Sequence, residues 1–206
     1  TEVFHDPAKM LYNELVSINN NIWNSVQIQD DFPLQIRPNY GIGLISSLFG
    51  AQIRVDDDNA PWVLHMDDEK TFRDAISYGI PDLKGGLAGK IKETYEVFSQ
   101  ILRPFPKCSK AIRLTQPDMQ GPFCNLQLMR GDQLFYDLYD DPDMIHEALD
   151  VITDTMIAYQ RTLPTLNDRA GDDAHYILLG IYRGGFLLKL DTETAMISEE
   201  MYEEFC

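Results

Sequence analysis

The chain has 206 residues, 44% apolar and 24% charged. That ordinary globular balance excludes a disordered chain, a collagen-like repeat and a disulfide-dense mini-protein, and the length suggests one domain. Lys and Arg number 17 against 33 Asp and Glu, a net charge of −16, so the basic face that phosphate binding requires is missing and neither nucleic acid nor an anionic membrane is expected as a partner.

The predicted elements run as follows. Asp6-Pro7 reads as an N-cap with Pro at the first helical position. Leu11, Leu15, Ile18, Ile22 and Val26 recur at helical spacing behind it, which predicts a helix over about 7–27. A short strand is expected over 34–37, ended by Pro38-Asn39-Tyr40-Gly41, then a short helix over 44–49 closed by Gly50. Residues 52–55 alternate as a strand, 56–61 form a loop, 62–66 extend, and a helix follows over about 68–78. Ile91, Tyr95, Phe98 and Leu102 stripe a helix that stops before Pro104. A strand over 111–115 leads into the polar turn 116–122, and a helix over 123–130 closes at Gly131. Asp141-Pro142 repeats the N-cap signal and opens a long helix to about 163. Residues 176–182 and 186–190 are apolar strand candidates, and Ser198 caps a last helix. Strands alternating with helices favour an α/β fold with mainly parallel pairing.

The three cysteines, Cys108, Cys124 and Cys206, are odd in number and far apart, which fits a reduced, cytoplasmic chain. No apolar run reaches the roughly 18 residues that span a bilayer, and there is no signal-peptide core. The chain opens on Thr1 rather than Met and stops at Cys206 within a helical pattern; it is expected to be a piece of a longer protein.

The sequence is poor in self-sufficient motifs. Gly86-Leu87-Ala88-Gly89-Lys90 lacks the spacing of a phosphate loop, and Gly41-x-Gly43 is half a dinucleotide fingerprint. His5, His65, His146 and His175 are scattered, and Asp56-Asp57-Asp58 lacks a calcium-loop pattern, so no metal site is expected within the chain. What remains is positional. In parallel α/β folds functional residues stand just past the C-terminal ends of strands. That rule selects Asn39 and Tyr40, then Gln116, Asp118 and Gln120, then Asp191, Thr192 and Glu193. Asp191 follows an apolar run and is the expected catalytic group, since a carboxylate at a strand mouth can orient an N–H donor or move a proton.

The segment Gln120-Gly121-Pro122-Phe123-Cys124-Asn125-Leu126 to Gly131, followed by Leu138-Tyr139-Asp140-Asp141-Pro142, resembles the uroporphyrinogen decarboxylase superfamily. Two further stretches are similar: Asn39-Tyr40-Gly41 through Phe49-Gly50 to Pro61-Trp62, and Asp191 through Ser198 to Phe205. The resemblance implies a (β/α)8 barrel, commonly a dimer. On this reading 1–206 is one partial barrel domain, an incomplete TIM-type barrel lacking N-terminal and C-terminal parts. It also implies a carboxy-lyase that acts on a tetrapyrrole or smaller acid without metal or organic cofactor. Asp191 would be its polar anchor, with Asn39, Tyr40, Asp118, Gln120, Phe123, Gln127 and Glu193 as substrate contacts. The family's Arg-x-x-Gly-Arg segment is absent, and its cleft Asp would fall near 39–41, where there is no carboxylate. Two alternatives stay open. One is a zinc-dependent methyl-corrinoid methyltransferase, whose zinc ligands would lie beyond Cys206. The other is a non-catalytic barrel that binds a small molecule.

Overall fold

The computed structural model describes residues 2–206 except 31, 33, 57–58, 164–173, 178–179 and 184–190. In chain order the first elements are α1 (Pro7–Ile28), β1 (Gln35–Ile36), α2 (Leu44–Leu48), β2 (Ile53–Arg54), β3 (Trp62–Val63) and α3 (Glu69–Ser77). There follow α4 (Ala88–Leu102), α5 (Pro106–Ala111), β4 (Arg113–Leu114), α6 (Pro122–Arg130), α7 (Gln133–Asp140) and α8 (Pro142–Gln160). The last are β5 (Ala174–Ile177), β6 (Gly180–Arg183), a 3-10 turn (Thr192–Met196) and α9 (Glu199–Phe205). The chain divides into two compact units, Thr1–Tyr40 with Lys90–Asp118 and Leu163–Leu187, and Gly41–Gly89 with Met119–Thr162 and Leu188–Cys206.

In the first unit α1 starts where the sequence says it should. The Asp6 carboxylate accepts from the Ala8 and Lys9 amides at 2.9 and 3.3 Å, satisfying two of the orphan donors of the first turn. Met10, Leu11 and Ile18 bury one face, each side chain worth roughly 1.5–3 kcal/mol when removed from water. The unit's parallel ladder joins β1 to β4 in the register Gln35↔Arg113 and Ile36↔Leu114. It continues one step further, where the Thr115 amide donates to the Ile36 carbonyl at 2.8 Å. Two tyrosines tie α4 to these strand ends. Tyr95 donates to the Thr115 carbonyl at 2.6 Å. The Thr94 hydroxyl donates to the Lys90 carbonyl, which leaves Tyr40 as the donor in its 2.7 Å bond to Thr94. β5 and β6 pair antiparallel.

In the second unit α8 is the buried spine, with Met144, Ile145, Ala148, Leu149, Ile152 and Met156 facing inward. Helices α2, α3, α6, α7 and α9 all pack against it. Asp141 caps α8 through the Met144 amide at 3.3 Å, with Pro142 in the first turn. β2 and β3 form a small antiparallel pair. Asn125 on α6 is wholly buried; its amide donates to the Met119 and Gly121 carbonyls at 2.7 and 2.8 Å and so fixes the turn that enters the helix.

The eight-stranded parallel barrel expected from the sequence is not what the described residues form. They are mostly helical, and their strands run two to four residues in three two-stranded sheets, of which only β1–β4 is parallel. Proline sets part of this limit. Pro38 follows β1 by two residues, Pro61 directly precedes β3, and Pro117 stands three past β4; proline has no N–H to extend a ladder. The expected strand over 176–182 is instead the last part of β5 and most of β6, and the candidate at 186–190 lies outside the described residues. Two helices, α5 and α7, arise where no helix was expected.

Candidate functional site

The positional rule leads to the first unit, beyond the paired C-terminal ends of β1 and β4. Arg37 leaves β1 and Asp118 ends the turn after β4. Their side chains meet at 3.3 Å, Nη1 to Oδ2, and are 22% and 14% exposed. A third group comes from α1. The Glu14 carboxylate accepts from the Arg37 backbone N–H and from the Asn39 side chain, and the Arg37 charge stands near it. Burial nevertheless dominates and pushes the Glu14 carboxyl above its ordinary value. The Asn39 backbone N–H donates to the Met10 sulfur at 3.2 Å. Gln116 follows the same strand end, and its buried Oε1 meets no donor among the described residues. The result is a guanidinium, the aspartate side chain that meets it, a carboxyl made easier to protonate and an amide, gathered at one end of a parallel pair. Such a set can bind a carboxylate through the guanidinium and hold a proton beside it.

Of the residues selected from sequence, Asn39 and Asp118 belong to this cluster. Tyr40 adjoins it in sequence, but its ring is in the core at 5% exposure and its hydroxyl is held by Thr94. Burial also raises its pKa, so it anchors α4 rather than meeting a ligand.

The other predicted residues lie in the second unit. Asp191 is placed by the 3-10 turn that follows it. Its Oδ1 accepts from the Cys124 amide at 2.8 Å, at the N-terminus of α6, whose own N-cap Gly121 offers no side chain. A carboxylate there completes the helix start and meets its positive end. The approach is so close that a Cβ on Gly121 would overlap the carboxyl group. Asp191 thus has a capping task in a helix distant in sequence. Glu193 sits in the same turn; its backbone N–H donates to the Cys124 sulfur, and burial raises that thiol's pKa. Phe123 is fully buried. Gln120 takes a left-handed backbone, φ 51°, just before Gly121, a conformation uncommon for residues other than glycine. Gln127 is half-buried on α6.

The second unit also holds an open cleft of about 730 Å3, walled by His65, Asp67, Arg73, Arg130, Asp140 and Asp141 among others. Its two arginines are already occupied. Arg73 binds Asp141 at 2.7 Å and Glu69 at 2.9 Å. Arg130 binds Asp137 at 2.6 Å and lies over the Phe72 ring at 5.3 Å. His65 donates from Nδ1 to the Leu128 carbonyl at 3.0 Å, against Gly131. Among the described residues no group of three His, Cys, Asp or Glu side chains could hold a metal ion, and no helix is long and apolar enough to cross a membrane.

Sequence reading missed Arg37 and Glu14. Arg37 falls inside the strand expected over 34–37, whereas β1 ends one residue before it. Glu14 is the only acid in the 22 residues of α1 and lies between Leu11 and Ile18 on the buried face; an acid at a core position of an amphipathic helix is the signal that could have found it. The chain matches no protein-family model, no curated protein and no solved structure.

Proposed function

We propose that the chain is a uroporphyrinogen decarboxylase-like carboxy-lyase, acting on an acid whose carboxymethyl arm is carried by a pyrrole or a comparable unsaturated ring. The observation that carries this reading is the Arg37–Asp118 pair with Glu14 and Asn39 at the ends of β1 and β4. The order of the three family-like segments supports it; the barrel is no part of it.

In the proposed reaction Arg37 binds the substrate carboxylate. Glu14 first gives its proton to a carbon of the ring beside the arm, which makes the ring a cationic electron sink. The bond from that carboxyl carbon to the arm breaks, CO2 leaves, and the electron pair neutralises the ring as an exocyclic methylene. The methylene carbon then takes a proton from solvent while the ring returns its added proton to Glu14, so that one carboxylate and one proton become CO2 and a methyl group. Asn39 orients Glu14. No oxidant or reductant is needed.

The test is incubation of the chain with uroporphyrinogen, reading CO2 release and, separately, equilibrium binding. Release is expected from the wild type. Arg37→Met should weaken binding roughly 10- to 100-fold, the worth of a charge-assisted hydrogen bond pair, and Glu14→Gln should leave binding intact while slowing release. Binding without release overturns the lyase reading in favour of a non-catalytic binding protein. Absence of both, or release unchanged in both variants, overturns it outright.

A further inference from the structure

We propose that the open cleft of the second unit binds a basic peptide segment, holding its arginine or lysine side chains on carboxylates and a main-chain carbonyl on Arg130. Every residue of the wall belongs to that unit, so the proposal stands apart from the lyase reading, whose residues Arg37, Glu14, Asn39 and Asp118 belong to the first. The wall carries six carboxylates, Asp67, Glu69, Asp132, Asp137, Asp140 and Asp141, against two guanidinium groups. Glu69, Asp137 and Asp141 are held by those arginines. Asp67, Asp132 and Asp140 are exposed, and their side chains make no hydrogen bond or ion pair among the described residues.

Two of these acids are placed against the needs of the fold itself. Asp132 holds the N-cap position of α7 but its side chain caps nothing, although Asp is among the residues that best fill that role. Asp140 is the last residue of α7, and no basic residue stands in that last turn; a negative charge is disfavoured at the negative end of a helix. A bound cation answers both. His65 adds an acceptor. Its Nδ1–H is spent on the Leu128 carbonyl, which leaves the Nε2 lone pair for an incoming N–H.

A cation alone does not complete the site. The Arg130 side chain is 5% exposed, yet only its Nε is bonded, to Asp137. Its two Nη nitrogens make no hydrogen bond among the described residues and are not sealed from solvent, so they open on the cleft that Arg130 lines. Donors this deeply set require an acceptor. The surplus of acid around them opposes a free anion, whereas a peptide carbonyl supplies the acceptor without adding charge. A simple polyamine has no such group. Size agrees, since a cleft of about 730 Å3 lies in the range that encloses a ligand as large as a tripeptide. The chain's net charge of −16 draws a cationic segment in and repels an acidic one.

The test is calorimetric titration of the full chain with acetyl-Arg-Gly-Arg-amide. Saturable binding is expected with a Kd on the order of 10–100 µM, weakening severalfold as salt is raised from about 50 to about 300 mM. Asp140→Asn should weaken it about fivefold yet unfold at no lower temperature than wild type, since it removes a charge that the end of α7 disfavours. Asp150→Asn removes the same charge from an exposed position of α8 outside the cleft and should change nothing. Spermidine, cationic but without a carbonyl, should bind at least about tenfold more weakly than the peptide. Absence of peptide binding up to about 1 mM, or an equal loss in the two variants, overturns the proposal. Spermidine binding as tightly as the peptide overturns it in favour of a polyamine site.

Discussion

Arg130–Asp137 in the second unit and Arg37–Asp118 in the first are two partly or wholly buried arginine–aspartate pairs among the described residues, and they are built differently. Arg130–Asp137 is short, 2.6 Å, with both side chains under a tenth exposed. Asp137 takes a second donor, Gln133 at 2.9 Å, and Phe72 lies beneath the guanidinium. Both oxygens of the Asp137 carboxylate are therefore bound by the protein itself. Arg37–Asp118 meets through one longer contact, 3.3 Å, partly open to solvent and flanked by the Glu14 carboxyl, whose pKa burial raises. A closed pair of the first kind specifies a packed structure. An open pair of the second kind keeps donors that an incoming carboxylate can use.

The comparison breaks first at Asp137. Replacing it with Ala leaves Arg130 charged, buried and alone, and should destabilise the chain by about 3–5 kcal/mol in urea unfolding. The matching change at Asp118, whose pair with Arg37 is longer and keeps 22% and 14% exposure, should cost less, about 1–3 kcal/mol. If the two losses are equal, the distinction between closed and open pairs fails.

A smaller effect probes the α6 start. Asp191→Ala should destabilise by about 1 kcal/mol, the usual worth of a cap. Gly121→Ala should lose at least as much, because its Cβ displaces the same carboxylate. The double variant should match Gly121→Ala alone, which thermal unfolding would check; additive losses would mean that Asp191 acts elsewhere.

The smallest effect is pH-dependent. The Glu14 carboxyl is raised in the folded chain, so folding favours its protonated form. The stability it contributes is fully present below the ordinary value of 4.5 and is lost as pH rises through the raised one. Glu14→Gln should therefore unfold at a slightly higher temperature than wild type near pH 7, with the difference closing below pH 4.5.

Local signals carried the helices. Asp6-Pro7 and Asp141-Pro142 cap α1 and α8 as their sequences announce, and Ser198 accepts from the Met201 amide at 3.3 Å to start α9. These contacts span two or three residues, so the sequence contains both partners. α7 was invisible for the opposite reason: Asp132 makes no side-chain cap there, and the helix is held by packing on α6 and α8. The barrel expectation failed because alternation of apolar segments does not reveal ladder length, and β1 and β4 share only two residue pairs. Half of the site was legible. Asn39 and Asp118 follow from the strand-end rule, but Glu14 reaches the cluster from another element 23 residues before Arg37, a distance that no local pattern encodes.

The clasp between Asp191 and α6 also has a timing. Its two ends are 67 residues apart, which at typical synthesis rates means roughly 3–13 s between the emergence of one and the other. Through that interval the first turn of α6 has no acceptor for the Cys124 amide. The nascent second unit is thus left with a frayed helix start, and its final locking waits on one late carboxylate.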